Sequence, residues 1–500
     1  MTEITTSYLA KEVKGNLLGN IKPVKGIFTF LNQAKPGDVV IRHWVNEIGV
    51  KIAARKGVSC IITQNPIGKT IKTAEKLDIP IIITPKIEFA NAFAIKWAVK
   101  SFAKDSLRVV VTGTNGKSTT AHMIYSILKR AGYSTYTNTD AKSEFNTLID
   151  PVVAKQLAEF ENLKKKPIQA MVIEVSEVQG WLDKLMKDHA RLMTSAVDPR
   201  VLVITNVGLD HIGLVNSIDE TFNEIYGSLK AISSRSDENN SDKDSLKNNY
   251  AVLNSDDPLL RKMGELVKEK DGIKLSFYGS NGQVSEYPNI ILKSDGIYLG
   301  ENLFMKTEEL PFKTKHFLQN TMAAIGACLT LNIDLKIIKR AVSFYKPLKR
   351  RFTILGNDPL IVDDFAHNPD GIIATIKSTA KMCEGVLYVV FAIRGSRGES
   401  INRLNAEALV KGLENIDHHI VVTSSNEVVD DANTVQPGER EIVLKTLTEH
   451  DLNCIFKENL NPALEYIIKS AKKTDTILLI GAQGMDPASN ALRKINKFRK

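Results

Sequence analysis

Residues 109–120 read Val-Val-Val-Thr-Gly113-Thr-Asn-Gly116-Lys117-Ser118-Thr119-Thr120. A β-branched run feeds a glycine turn, and the turn opens onto a stretch patterned as a helix. Backbone N–H groups at such a helix start, with the helix dipole behind them, make a cradle for phosphate. The candidate cradle is Gly113, Thr114, Asn115, Gly116, Lys117, Ser118 and Thr119. Lys117 can reach the β- and γ-phosphates of a nucleotide, and Ser118 can ligand Mg²⁺. The general pattern puts its first glycine at position 111, where this chain has Val111, so the loop is a shorter form that begins at Gly113. A chance glycine turn is the weaker reading, because strand and helix flank the loop in the correct order. Lysine plus serine on such a loop specifies a nucleotide, not a reaction.

Other residues must choose the chemistry. Glu174 ends the apolar run from Ala170, where a carboxylate is costly unless paired or bound to a cation. Beside a triphosphate it suits a second Mg²⁺ through hard oxygen ligation; a helix cap or surface acid is the alternative. His211 follows the strand candidate Val201 to Thr205, and a histidine so placed is more often a hydrogen-bonded structural residue. Asp364 and His367 follow the strand candidate Leu360 to Asp363, at the end where α/β sheets place ligand contacts. Arg351 stands in a basic run with Lys349 and Arg350, so a solvated surface run competes with a site role.

These side chains need parallel strands to carry them. Short apolar runs at Val39 to Ile41, Cys60 to Thr63 and Ile79 to Thr84 alternate with amphipathic segments from Gly49 to Lys56 and Thr70 to Leu77, the pattern of a small α/β domain. A second block has strand candidates Leu107 to Thr112, Ala170 to Glu174, Val201 to Thr205 and Ala251 to Asn254, with helices from Lys117 to Ala131 and Phe317 to Leu331. The βα alternation predicts a largely parallel sheet. Phe277 to Phe304 reads as short antiparallel strands, and the polar stretch Ser233 to Asn249 as an exposed loop. A third block has strands at Leu360 to Asp363, Val386 to Phe391, His419 to Thr423 and Thr476 to Ile480. Five hundred residues at ~150 per domain also suggest three domains.

Composition narrows the class. The chain is 43% hydrophobic and 25% charged, as soluble globular proteins are. No stretch is apolar enough to span a bilayer, and Met1-Thr-Glu-Ile-Thr lacks a signal pattern; a cytoplasmic location is expected. Cys60, Cys328, Cys383 and Cys454 show no metal-ligand spacing, which argues against a disulfide framework or structural zinc. The net charge of +9 is spread along the chain without an aromatic-interleaved basic stripe. Nucleic-acid binding has to be considered, a basic surface also suits small anionic ligands, and charge alone decides nothing.

Six segments in order resemble the Mur ligase family, which includes murein peptide ligases, folylpolyglutamate synthases and cyanophycin synthetases. They are Gly113-Thr-Asn-Gly-Lys-Ser-Thr119; Met171-Val-Ile-Glu174-Val-Ser176; Ile204-Thr-Asn206-Val-Gly-Leu-Asp210-His211; Ala251-Val-Leu-Asn254-Ser-Asp256-Asp257-Pro258; His316-Phe-Leu-Gln-Asn320-Thr-Met-Ala323-Ala324; and Arg351-Phe with Val362-Asp-Asp364-Phe-Ala-His367-Asn368-Pro369. Any one is modest; six in order are specific. The resemblance implies an α/β fold of three domains: an N-terminal substrate domain (1–103), a central P-loop ATPase domain (104–347) and a C-terminal Rossmann-like domain (348–500). It implies ATP with two Mg²⁺ ions, held through Ser118, Glu174 and His211. It also implies a carboxylate activated as an acyl phosphate and joined to an amino acid, by a monomer acting without membrane or nucleic acid.

Within the family the look is nearest to archaeal pseudomurein peptide ligases, which implies a cell-wall peptide precursor as substrate. Gly37-Asp-Val-Val with Ala53-Ala-Arg-Lys-Gly57 resembles the uridine-nucleotide domain of murein tripeptide ligases, which implies a UDP-linked carboxylate. Ile393-Arg-Gly-Ser-Arg397 stands without a DNPR motif, which the resemblance sets against a diaminopimelate-adding enzyme. Asn320 is expected at the adenine, Arg351 at the nucleotide, and Asp364 and His367 near the ribose and cleft, with Lys117, Glu174, His211 and His367 the catalytic set. Many murein ligases carry a carbamylated lysine beyond the Asp-His pair; here Lys230 must reach in after a shift, or the metal is held without a carbamate. Other substrates remain open: polyglutamylation, a cyanophycin-like polymer or amidation of a cofactor precursor. A nucleotide-switched binding protein or a nucleic-acid-dependent ATPase is the rival from another class, and it leaves Glu174, His211, Asp364 and His367 without a reason to exist.

Overall fold

The structure, a computed structural model, describes residues 4–139, 151–181, 184–210, 214–215, 217–233, 249–268, 272–280, 289–312 and 314–497. Among these residues three large sheets follow one another along the chain. The first has the order Asn16–Leu18, Ile81–Ile83, Cys60–Pro66, Val39–Val45, Phe28–Thr29, parallel except for its first pair. The second runs Asn302–Lys306, Gly296–Leu299, Ile290–Lys293, Ile273–Gly279, Asn249–Asn254, Val201–Ile204, Leu107–Thr112, Ala170–Glu174, Thr135–Thr137. The third runs Thr353–Asn357, Leu360–Asp364, Thr476–Ile480, Leu387–Ala392, His418–Thr423, Cys454–Lys457.

Three of the parallel strands are fully buried runs: Val201–Ile204, Leu387–Ala392 and Thr476–Ile480 have no exposed residue. That is what helices on both faces demand. The antiparallel reading of Phe277 to Phe304 holds for Ile290–Lys293, Gly296–Leu299 and Asn302–Lys306. Ile273–Gly279, which carries Phe277, instead pairs in parallel with Asn249–Asn254. Of the polar stretch Ser233 to Asn249, residues 234–248 lie outside the described residues.

The first two sheets share one core. Ile41, Ile62 and Ile95 join Met171, Met193 and Ile225 in a continuous apolar cluster. The helix Ile87–Phe102 is the seam: Ala90, Ala94 and Ala98 are buried along it, and it packs on Val152–Lys164 and His189–Val197. Small alanine side chains allow that close helix approach. The third sheet has its own cores on its two faces. Among the described residues no helix is long and apolar enough to cross a membrane.

Leu107–Thr112 lies between Ala170–Glu174 and Val201–Ile204. Its C-terminal end therefore opens into the crevice between two outgoing strands, the usual ligand position in a parallel sheet. Gly113 follows immediately, and the helix Lys117–Arg130 starts four residues later.

Candidate active site

Two glycines make the loop possible. Gly113 has φ +119, and a Cβ there would lie 2.4 Å from Thr205 Oγ1 and 2.9 Å from the Thr205 nitrogen and the Asn206 oxygen. Gly116 has φ +83, and its Cβ would lie 2.2 Å from Asn320 Oδ1. Left-handed backbone without room for a side chain admits only glycine. Asn320, on the helix Lys315–Thr330, thus stands directly against the loop.

The loop is pinned from the neighbouring strand end. Asn115 N donates to Asn206 Oδ1 at 2.9 Å, and Asn206 Nδ2 donates to the Asn115 carbonyl at 2.9 Å. Thr114 N donates to the Asn206 carbonyl at 3.0 Å, and Gly208 N to Thr114 Oγ1 at 2.8 Å. Asn206, quoted above only as part of a motif, is the clamp that gives the loop its shape.

Lys117 Nζ donates to the carbonyls of Gly113 at 2.7 Å and Thr114 at 2.9 Å, and to Glu177 Oε2 at 2.7 Å. Burial alone would lower its pKa, but the charges of Glu177, Glu174 and Asp210 outweigh that and hold it above the ordinary lysine value. Lys117 is a firm ammonium ion.

Glu174 Oε1 accepts from Ser118 Oγ at 3.0 Å, and Oε2 from Thr139 Oγ1 at 3.4 Å. Its backbone is clamped both ways by Asn138, with Glu174 N donating to Oδ1 at 2.8 Å and Nδ2 donating to the Glu174 carbonyl at 2.9 Å. Burial pushes the Glu174 carboxyl above its ordinary range, against the opposing pull of Lys117, Arg351 and the Ser118 hydroxyl. A cation next to it would relieve that cost.

The third sheet's lobe covers the loop. Arg351 Nη2 donates to Ser118 Oγ at 3.3 Å, so Arg351 turns into the site. Arg350, its neighbour, is only 5% exposed and binds Asp363 at 3.1 Å together with Asp486 and three carbonyls. The solvated-run reading of these arginines does not hold. Arg350 has φ +58 and Phe352 φ +52; these two left-handed residues send adjacent arginines in different directions.

Asn368 Nδ2 donates to Asn115 Oδ1 at 2.9 Å and to Asp210 Oδ2 at 3.2 Å. Arg394 Nη1 meets Asp210 Oδ1 at 3.3 Å, and His367 Nε2 lies 3.8 Å from Asp210 Oδ2. Because the Phe365 carbonyl sits 2.7 Å from His367 Nδ1, Nδ1 carries the donated hydrogen and Nε2 faces the cleft. Asp364 accepts from Phe352 N at 2.6 Å, Ala366 N at 2.9 Å and Thr375 Oγ1 at 3.2 Å, so it shapes its own lobe's turn as well as lining the site.

Between the two lobes lies a cavity of about 1310 Å³. Thr114 to Thr119, Glu174, Asn320, Arg351, Asp364 and His367 all line it, and Gly113 does not; small-molecule sites commonly span ~300–1,000 Å³. His211 lies outside the described residues. Lys230 is exposed, with Nζ 4.8 Å from the Tyr226 ring centre, and does not line the cavity.

Among the described residues no group of three His, Cys, Asp or Glu could hold a metal. Magnesium does not require one: it takes one or two protein oxygens and completes its shell with phosphates and water. The Ser118 hydroxyl beside a buried Glu174 carboxylate fits that chemistry.

Sequence reasoning missed Glu177 altogether, and gave Asn206, Asp210, Asn368 and Arg394 no role. Glu177 had a signal: a second acid three residues after Glu174, in a segment whose other residues from Ala170 to Val178 are apolar except Ser176.

A phosphate loop at a sheet's switch point, roofed by a second α/β lobe, defines a P-loop nucleotide enzyme. The Mur ligase middle domain matches residues 111–328, and the domain described as Mur ligase, glutamate ligase domain matches residues 350–483. The chain belongs to the Mur ligase family, ATP-dependent ligases that join an acid to an amino acid. The UDP-N-acetylmuramate–L-alanine ligase of Desulforamulus reducens is 24% identical over 461 residues, 88% of this chain and 84% of that one. MurF from Acinetobacter baumannii superposes with a TM-score of 0.68 at 18% identity, over 99% of both chains. A pseudomurein peptide ligase type C from Methanothermus fervidus gives 0.54 at 18% identity, over 91% of this chain and 99% of that one.

Proposed function

We propose that this Mur-type ligase binds ATP in the loop Gly113 to Thr119 and adds an amino acid to a nucleotide-linked peptide precursor, as in pseudomurein synthesis. One observation carries the reading: Ser118 Oγ lies 3.0 Å from Glu174 and 3.3 Å from Arg351 of the other lobe. A hydroxyl, a carboxylate and an arginine thereby converge where the terminal phosphates of a nucleotide in that loop come to lie.

The reaction divides into two transfers. The substrate carboxylate attacks the γ-phosphorus, the bond to ADP breaks, and an acyl phosphate forms. The amine nitrogen then attacks the acyl carbon, phosphate leaves and an amide remains. Both steps bring anions together, so preorganised positive groups provide most of the acceleration. Lys117 and the loop N–H groups neutralise the β- and γ-oxygens, and Arg351 completes the collar when the lobe closes. Ser118 and Glu174, with His211 as a further ligand, would hold a magnesium ion, which would supply additional charge neutralisation. Asn320, against Gly116, marks the adenine side. His367 Nε2 is placed to accept the proton that the attacking amine sheds, with Asp210 stabilising the imidazolium.

The names of the relatives support a UDP-linked substrate and the cell-wall setting, and ATP supply agrees with a cytoplasmic enzyme. The test is incubation with ATP, Mg²⁺ and paired candidate carboxylates and amines, read by mass spectrometry for a new amide. ADP release that requires both partners is expected. Equal ATP turnover without them refutes ligation, and a uridine nucleotide that fails to raise the melting temperature transfers the reading to a non-nucleotide carboxylate.

A further inference from the structure

Every donor of the Lys117 ammonium is engaged within the protein. An ammonium has three N–H bonds, and here they meet two loop carbonyls and Glu177. The carbonyls belong to the loop that Lys117 closes. Glu177 does not: it comes from the segment after Ala170–Glu174, its side chain is fully buried, and it sits 2.7 Å from Nζ. Glu177 is absent from the cavity wall, so it touches no ligand there and acts by holding Lys117 and through its charge.

The cations nearest the loop have acids beside them. Lys117, Arg351 and Arg394 face Glu174, Glu177 and Asp210. A phosphate oxygen that takes a hydrogen bond from Lys117 lies within two such bonds, ~5.5 Å, of the Glu177 carboxylate. In a buried site that repulsion weakens anion binding on the order of a hundredfold unless a cation offsets it.

We infer that Glu177 is a positioning residue, a resident counter-anion that fixes the phosphate-loop lysine and makes nucleotide binding depend on a divalent cation. Glu177 cancels the charge that Lys117 would otherwise offer a bare polyphosphate, so ADP without metal meets a neutralised lysine. Magnesium at Ser118 and Glu174 restores the missing positive charge. The inference rests on the phosphate-loop reading proposed above, and the experiment separates the two.

ADP binding is measured by calorimetry on the full chain, in millimolar Mg²⁺ and in EDTA, for the wild type, Glu177→Gln, Glu177→Asp and Lys117→Ala. The wild type is expected to bind at least about tenfold more weakly in EDTA. Glu177→Gln should regain about tenfold in EDTA and shrink the ratio between the two conditions, while Glu177→Asp keeps the wild-type ratio. A purely structural role for Glu177 moves the melting temperature but leaves that ratio alone, and an unchanged ratio in Glu177→Gln overturns the inference. So does a wild type that binds equally in both conditions, an outcome that needs no variant to fold. Lys117→Ala binding ADP as the wild type does would instead overturn the phosphate-loop reading.

Discussion

Replacing Gly113 by alanine tests the geometry on which the loop depends, and the structure separates its two costs. The first is conformational: φ is +119, a region that costs a non-glycine residue about 1–3 kcal/mol. The second is steric. The new methyl would stand 2.4 Å from Thr205 Oγ1 and 2.9 Å from Thr205 N and Asn206 O. Those backbone atoms cannot retreat, because Thr205 N donates to the Thr112 carbonyl at 3.0 Å and Val201–Ile204 is in register with Leu107–Thr112. Such overpacking costs about 1–3 kcal/mol. Gly132→Ala is the internal control: φ is +94 and nothing lies within 4 Å of the new Cβ, so only the conformational cost applies. Gly113→Ala should therefore lose about 2 kcal/mol more than Gly132→Ala. It should also bind ADP at least about tenfold more weakly, since the loop N–H groups are displaced. Melting curves and ADP calorimetry read both quantities. Equal melting temperatures and equal ADP affinity for the two variants would refute the account of the loop.

Three further outcomes follow from the same contacts. Asn206→Ala removes both hydrogen bonds to Asn115, about 1–3 kcal/mol of loop ordering, and should weaken ADP binding with little change in melting temperature; a loss of global stability alone would contradict the clamp. Asp210→Asn removes the charge that Arg394, Asn368 and His367 share across the lobes. It should enlarge the radius of gyration in small-angle scattering, and an unchanged scattering curve would show that these contacts do not hold the lobes together. His189 is fully buried, neither ring nitrogen has a hydrogen-bond partner among the described residues, and burial drives its pKa down to about 4. The folded state rejects a proton that the unfolded chain binds near pH 6.5, so stability falls as pH drops from about 6.5 to about 4, by on the order of 3 kcal/mol. His189→Phe should flatten that part of the profile of melting temperature against pH; parallel profiles for wild type and variant would rule this out.

What could be read in the sequence was local. Leu107–Thr112, the glycine turn and Lys117–Arg130 are consecutive, so strand, loop and helix signals reinforce one another. Glu174 was legible because a carboxylate ending an apolar run is costly. The partners were not. Asn206 meets Asn115, Arg394 meets Asp210 and Arg351 meets Ser118 across distances in sequence that no periodicity encodes. Arg350 and Arg351 are chemically identical neighbours, and only the left-handed residues around them decide which one enters the site. Asn16–Leu18, Phe28–Thr29 and Thr135–Thr137 are too short to show an alternating pattern. The shared core of the first two sheets escaped because an apolar face does not name what it packs against.

The central claim is that ATP in the Lys117 loop phosphorylates a carboxylate that then accepts an amine. The most direct measurement uses an acceptor labelled with ¹⁸O in its carboxylate, incubated with ATP, Mg²⁺ and the amine, with the released phosphate read by mass spectrometry. One labelled oxygen in each phosphate, appearing together with the new amide, is the expected result. Phosphate free of label alongside amide formation would contradict the acyl phosphate route.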